Sequence, residues 1–113
     1  MVAKKYIPER GDIIWLDLNP TKGHEQKGVR PALVVSPKIY NTKTGLALVC
    51  PITSHAKKYS FEVALELTST IGVVLSDHIR SVDWKGRNAR YIEKVGDTII
   101  DEVEQKLLTL ISR

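Results

Sequence analysis

The sequence predicts a mostly β domain of the α+β class: a small, strongly bent sheet or barrel with a helix packed on it. Three observations lead there. Short apolar runs recur between turn residues, one run alternates polar and apolar side chains without a break, and the C-terminal segment changes to a helical period.

The runs predicted as strands are Asp12–Leu18, Ala32–Ser36, Leu46–Cys50, Phe61–Leu67, Gly72–Ser76 and His78–Val82. In Phe61–Leu67 every odd position is apolar and both glutamates are even, the period of a strand with one wet face. Asn41–Gly45 supplies a turn, and Pro51 marks a strand end or a bulge. Towards the C-terminus Ile99, Ile100, Val103, Leu107, Leu110 and Ile111 fall at three- and four-residue steps, which predicts an amphipathic helix. Asp97 or Thr98 is placed to cap its start, and Asp101 and Glu102 suit the positive end of its dipole.

The chain of 113 residues, 42% apolar and 27% charged, has the length and composition of a single domain over 1–113 with its own core. Its apolar runs, such as Ile13–Leu16 and Gly72–Leu75, are far shorter than the roughly 20 residues that span a bilayer. MVAKKYIPERGD carries lysines without the apolar stretch of a secretory signal, so a cytoplasmic address is expected, with no membrane partner. The single cysteine, Cys50, lies in an apolar run and reads as a small buried thiol, and no disulfide, zinc cluster or haem motif can be assembled.

The net charge of +4 favours an anionic partner without identifying it. Base is concentrated at Arg80, Lys85, Arg87, Arg90 and Lys94, and acid follows at Asp97, Asp101, Glu102 and Glu104. Such a segment reads equally as a nucleic-acid surface or as a solvated loop. Two polar loops interrupt the strands, Asn19–Arg30 and Ser54–Ser60, the second reading SHAKKYS. Function is concentrated in loops of this kind. Nucleotide-binding, kinase and zinc-protease signatures are absent, and Ser36 lacks the setting of a nucleophile elbow.

What remains is a set of polar residues at strand ends. Glu25 and Arg30 make either a surface ion pair, worth about 0–1 kcal/mol, or part of a site. Pro31 favours extended backbone at Arg30 and so fixes a guanidinium at a strand mouth. Thr53 is either a turn hydroxyl bonded to its own backbone or a functional one, and His24, His55 and His78 are individually uninformative. Trp15 and Trp84 are read as core residues in preference to stacking surfaces.

Gly11–Pro37, GDIIWLDLNPTKGHEQKGVRPALVVSP, resembles the N-terminal signature of the MazF/PemK toxins of bacterial type II toxin-antitoxin pairs, and the likeness continues through Pro51–Ser54, Gly72–Arg80 and the terminal helix. It implies an SH3-like barrel with helices, acting as a homodimer. It also implies a sequence-specific endoribonuclease (mRNA interferase) that needs no metal or other cofactor. Such an enzyme cuts single-stranded RNA, mRNA above all, and is restrained by an acidic antitoxin of the MazE/PemI kind whose tail competes for the RNA groove. Operator DNA would be contacted only through the antitoxin complex.

By that resemblance Arg30 and Thr53 match the family's catalytic arginine and threonine, and Glu25 a glutamate needed for activity in several members. Cleavage without metal requires only that the RNA's 2′-hydroxyl attack the adjacent phosphorus, leaving a 2′,3′-cyclic phosphate and a 5′-hydroxyl. The protein must then align the groups, move two protons and stabilise charge on the phosphoryl oxygens. An arginine suits the last task, because its fork of donors grips phosphate oxygens and gives up a proton reluctantly. Glu25, His24 and Asp77 are all candidates for the base or acid.

RNA contacts are expected from Asn19, Lys22, Gln26, Ser54, His55, Lys57, Lys58, Tyr59, His78, Arg80, Lys85 and Arg87, with Tyr59 as the stacking candidate. Leu75 stands two positions before Asp77, where some branches carry a second arginine, and Asn19 stands where relatives often carry aspartate. Two rivals are a gyrase-binding toxin of the CcdB type, whose C-terminal Trp-Gly-Ile this chain lacks, and a module that binds RNA without cutting it.

Overall fold

The computed structural model describes residues 5–18 and 28–113. Its elements are β1 (Asp12–Asp17), β2 (Val29–Val34), α1 (Lys38–Thr44), β3 (Leu46–Thr53), β4 (Glu62–Ala64), β5 (Val73–Leu75), a 3-10 turn at Ser76–His78, β6 (Arg80–Asp83), β7 (Arg90–Lys94) and α2 (Asp97–Ile111). The strands form one seven-stranded sheet in the order β4-β5-β3-β2-β1-β7, with β6 also paired to β3. Every pairing is antiparallel. The α+β class is as expected. The sheet, however, is open rather than a closed barrel, because no ladder joins β4 to β7 among the described residues. In place of a ladder, the Glu93 carboxylate on β7 accepts the Ser69 N–H (3.0 Å), the Thr70 N–H (2.7 Å) and the Thr70 hydroxyl (2.7 Å) from the chain after β4.

The sheet separates two apolar layers. Beneath α2 lie Ile13, Leu33, Cys50, Ile52, Val63 and Val74, packed against Ile99 and Val103 of the helix. The other face gathers Ile14, Leu16, Ala32, Val34, Ala47, Val49, Val82 and Trp84. Alternate residues of β1, β2 and β3 feed the two layers, so a one-residue slip in any of them would exchange the faces. Burial and the charge of Asp77 push the Cys50 thiol up to about 12, so the cysteine is an inert core group.

Several boundaries differ from the sequence reading. Asn41–Gly45 is the end of helix α1 rather than a free turn, stopped by Gly45 in the left-handed region (φ 76°). β3 runs through Pro51 to Thr53, with Pro51 opposite Ala32. β4 ends at Ala64, although the alternation runs on to Leu67, which is left-handed (φ 60°) and fully exposed. Arg90–Lys94 is strand β7, hidden from a pattern reading by its charge. Helix α2 has no side-chain cap: Gly96 occupies that position, its carbonyl accepts the Ile99 N–H at 3.2 Å, and Asp97 lies in the first turn. Trp84 is buried, donating to the Asn41 carbonyl at 3.0 Å, whereas Trp15 is 39% exposed and is not a core residue.

Asn41 is fully buried and ties four segments together. Its amide donates to the Pro8 carbonyl (2.8 Å) and the Ser36 carbonyl (3.1 Å), and its side-chain oxygen accepts the Ser36 hydroxyl. The Ser36 hydroxyl in turn accepts the Leu48 N–H at 2.9 Å. Replacing Asn41 by alanine strands these buried groups, and we expect Asn41→Ala to lower the unfolding free energy by about 2–4 kcal/mol with an unchanged denaturant slope in urea titration. The Glu93 bonds hold its carboxyl below the ordinary 4.5, the Ser69 N–H contributing most. The bridge is therefore at full strength above that ordinary value and is lost as pH falls through the lower folded one, which faster exchange of the Ser69 and Thr70 amides would report.

Candidate functional site

The site is built from strand register. Ala32 pairs with Pro51 and Val34 with Val49, so Arg30, two residues before Ala32, comes level with Thr53, two residues after Pro51. By alternation Arg30, Ala32, Val49, Pro51 and Thr53 point to the same side of the sheet. Arg80, paired with Val49, joins them there. The arrangement brings two guanidiniums and a hydroxyl to one face of the sheet, Arg30 level with Thr53 and Arg80 level with Val49, four residues back along β3. A shallow apolar floor of Leu16, Ala32, Val49, Pro51 and Val82 lies between Arg30 and Arg80.

The next depression, about 590 Å³, is lined by Thr53, His55, Lys57, Tyr59, Glu62, Leu75, Asp77 and His78. The Thr53 hydroxyl accepts the His55 N–H at 3.1 Å, the local turn bond that its position allowed. The Tyr59 hydroxyl donates to Asp77 at 2.6 Å, and His78 Nε2 stands 3.9 Å from the same carboxylate oxygen. The bond to Asp77, with burial second, pushes the Tyr59 phenol up to about 12. Asp77, His55 and His78 thus converge on the depression that Thr53 borders.

Two residues that pattern reading passed over shape this site. Glu62, read only as part of a wet strand face, accepts the Lys57 N–H at 2.8 Å and the Lys58 N–H at 2.9 Å, with Lys58 in the left-handed region (φ 62°). Gly72 has φ 137°, and a Cβ there would lie 2.3 Å from the Thr53 carbonyl oxygen and 3.3 Å from the Ser54 Cα. Only glycine permits so close an approach of β5 to the backbone that carries Thr53. Glycine ahead of an apolar run was the available signal, but the neighbour it makes room for is remote in sequence.

Other candidates lie apart. Lys85 lines a separate cleft with Lys5, Tyr6 and Trp84, its ammonium 6.0 Å from the Trp84 ring centre. Arg87 donates to the Asp17 carbonyl at 3.3 Å, at the end of β1 that leads towards the first polar loop. Ser54 and Lys58 are exposed beside Thr53 and Tyr59. Asn19, Lys22, His24, Glu25 and Gln26 lie outside the described residues, as does any pairing of Glu25 with Arg30.

The chain is similar to known proteins along nearly its whole length. Residues 9–111 match the family model described as PemK-like, MazF-like toxin of type II toxin-antitoxin system. The endoribonuclease toxin MazF of Escherichia coli K12 is 42% identical over 110 residues, 97% of this chain and 99% of that protein. Endoribonuclease PemK of Escherichia coli is 40% identical over 117 residues, covering 99% of this chain and 88% of that one. Among solved structures, MazF from Deinococcus radiodurans superposes with a TM-score of 0.86 at 46% identity, over 96% of this chain and all of that one. A MazE-MazF structure from the same organism gives 0.88 at 45% identity, over 94% of this chain and 97% of that one.

Gly72→Ala should force β5 and the Thr53 backbone apart. We expect a loss of more than about 2 kcal/mol of stability, with amide shift changes centred on Thr53 and Ser54 in NMR spectra. The Tyr59 tether, whose folded value lies above the ordinary 10.0, is fully present below that pH and lost as pH rises through about 12. The difference in phenolate absorbance between the wild type and Tyr59→Phe measures that titration.

Proposed function

The chain belongs to the PemK-like, MazF-like toxin family of type II toxin-antitoxin systems, and from that premise we propose that it is an endoribonuclease toxin that cuts single-stranded RNA, mRNA above all, at a short sequence. Cutting mRNA inhibits translation and growth. The observation that carries this reading is Arg30 brought level with Thr53 on one face of the sheet, with Arg80 on the same face beside the apolar floor next to Arg30, together with relatives named endoribonucleases.

In this reading the RNA's 2′-hydroxyl attacks the adjacent phosphorus, and no metal or protein nucleophile takes part. Arg30 stabilises the growing charge on the phosphoryl oxygens, because a guanidinium offers paired donors in a fixed plane. The Thr53 hydroxyl holds a phosphoryl oxygen, and the rigid strand ends supply the alignment that an in-line attack needs. Asp77, borne on the 3-10 turn, is the base candidate that borders the described cavity. Glu25 and His24 are its competitors from the first polar loop. Lys57, Tyr59, His55 and His78 line the space for the flanking nucleotides, with Tyr59 as the stacking surface.

The partner is an antitoxin, a reading supported by the MazE-MazF structures of similar chains; in this reading its acidic tail lies over the same basic rim and competes with RNA. Operator DNA would be met only through that complex, in the cytoplasm. A homodimer is supported by the apolar groove between α2 and the sheet, where Val35, Leu48, Ile79, Leu107, Leu108 and Ile111 meet.

The test is incubation of the purified protein with a long single-stranded RNA in EDTA, with mapping of every cut and its end chemistry. Discrete cuts ending in 2′,3′-cyclic phosphate and 5′-hydroxyl are expected. Arg30→Ala should slow cutting by about 10²–10³-fold while remaining folded. Intact RNA at high protein concentration would favour the module that binds without cutting.

A further inference from the structure

We propose that Glu62 is a positioning residue that sets the sequence preference of the site, by fixing the shape of the loop that carries Lys57 and Tyr59. The proposal rests on the reading that this loop contacts RNA.

A seven-residue polar loop, Ser54–Ser60, has no ladder of its own and would ordinarily sample many shapes. Here its backbone is pinned from one side chain. Glu62 uses one carboxylate oxygen for the Lys57 N–H (2.8 Å) and the other for the Lys58 N–H (2.9 Å). Consecutive N–H groups around a left-handed residue form a small anion-binding concavity, and the Glu62 carboxylate fills it from within the chain. The Glu62 N–H donates back to the Tyr59 carbonyl at 3.1 Å, closing the loop at its base.

Glu62 itself is held. It begins β4, where it pairs with Leu75, and its carbonyl accepts the Lys106 ammonium of α2 at 2.9 Å. The loop is thereby referenced to the rigid sheet and to the helix. Its geometry directs Lys57 and Tyr59 into the same depression as Thr53, where Asp77 holds the Tyr59 hydroxyl. A reading surface whose groups are fixed before the ligand arrives loses less freedom on binding and adapts less readily to wrong sequences than a loose loop does. A glutamine at position 62 has one acceptor oxygen for two N–H groups, and alanine has none.

The experiment compares the wild type, Glu62→Gln, Glu62→Ala, Lys57→Ala and Tyr59→Ala on a pool of RNAs randomised around the cut. Two quantities are read for each: the sequence profile of cuts, and amide exchange at Lys57 and Lys58. Each variant is first shown to be folded by circular dichroism.

For Glu62→Gln we expect faster exchange at both amides and a roughly tenfold fall in discrimination between the preferred sequence and its single-base neighbours, with a further fall for Glu62→Ala. Lys57→Ala and Tyr59→Ala should change which bases are preferred. If exchange quickens in the Glu62 variants while the profile stays as in the wild type, and Lys57→Ala or Tyr59→Ala alters it, Glu62 has only a structural role and the proposal is overturned. If neither loop substitution alters the profile, the loop does not read RNA and the underlying reading fails. A wild type that cuts nothing defeats the ribonuclease reading itself.

Discussion

Strand β3 is the constraint on which the rest of the molecule depends. It is paired along both edges: β2 lies on one side, while β6 occupies the first half of the other side and β5 the second half. The changeover falls at Pro51, a residue with no N–H to give to a ladder. Before it, β3 belongs with the broad part of the sheet, β1, β2, β6 and β7. After it, Ile52 and Thr53 pair with Val74 and Val73 in the narrower part that ends at β4. One strand therefore joins the two parts of the sheet, and Thr53 is its last residue. Its alternating side chains feed both apolar layers, Cys50 and Ile52 on the helix side and Ala47 and Val49 on the other.

Polar ties complete what apolar packing leaves undetermined. Asp12, almost fully buried, receives the Tyr6 hydroxyl and the Glu9 N–H on one oxygen, while the Lys94 ammonium lies 2.8 Å from the other. Burial and that carboxylate drive the Tyr6 phenol far above its ordinary range. Asn41 plays the same part on the same N-terminal segment, through the Pro8 carbonyl. Both ties join segments distant in sequence, and a buried polar group with several partners specifies one arrangement more sharply than an apolar contact does. Apolar burial collapses the chain, and these bonds select among the collapsed forms.

Rigidity is distributed unevenly, and the pattern suits a binding surface. Loops that could move are anchored by carboxylates: Glu62 holds the backbone of the Lys57–Lys58 loop, Asp77 holds Tyr59, and Glu93 holds the Ser69–Thr70 segment. Acceptors that take N–H and O–H groups fix a loop without neutralising its lysines. Glu62 bonds the Lys57 and Lys58 backbone rather than their ammonium groups.

Much of this was legible in the sequence, for a physical reason. Strand alternation, the helical period after Gly96, the buried setting of Cys50 and the placing of Arg30 and Thr53 at strand ends all follow from local backbone geometry and the partition of side chains between water and core. Short segments express both directly. The tertiary structure alone decided the rest. The charged run Arg90–Lys94 becomes a strand because β1 offers it an edge. Asn41 becomes a core residue because Pro8, Ser36 and Trp84 arrive around it. Gly72 matters because Thr53 passes close by, and Glu62 because a loop turns back over it. Each of these depends on a neighbour brought near by folding, and a periodicity or propensity holds no information about that neighbour. The sequence by itself determined the alternating strands, the C-terminal helix and the apolar side chains they bury; the tertiary structure decided α1, β7, the burial of Asn41 and which polar groups meet.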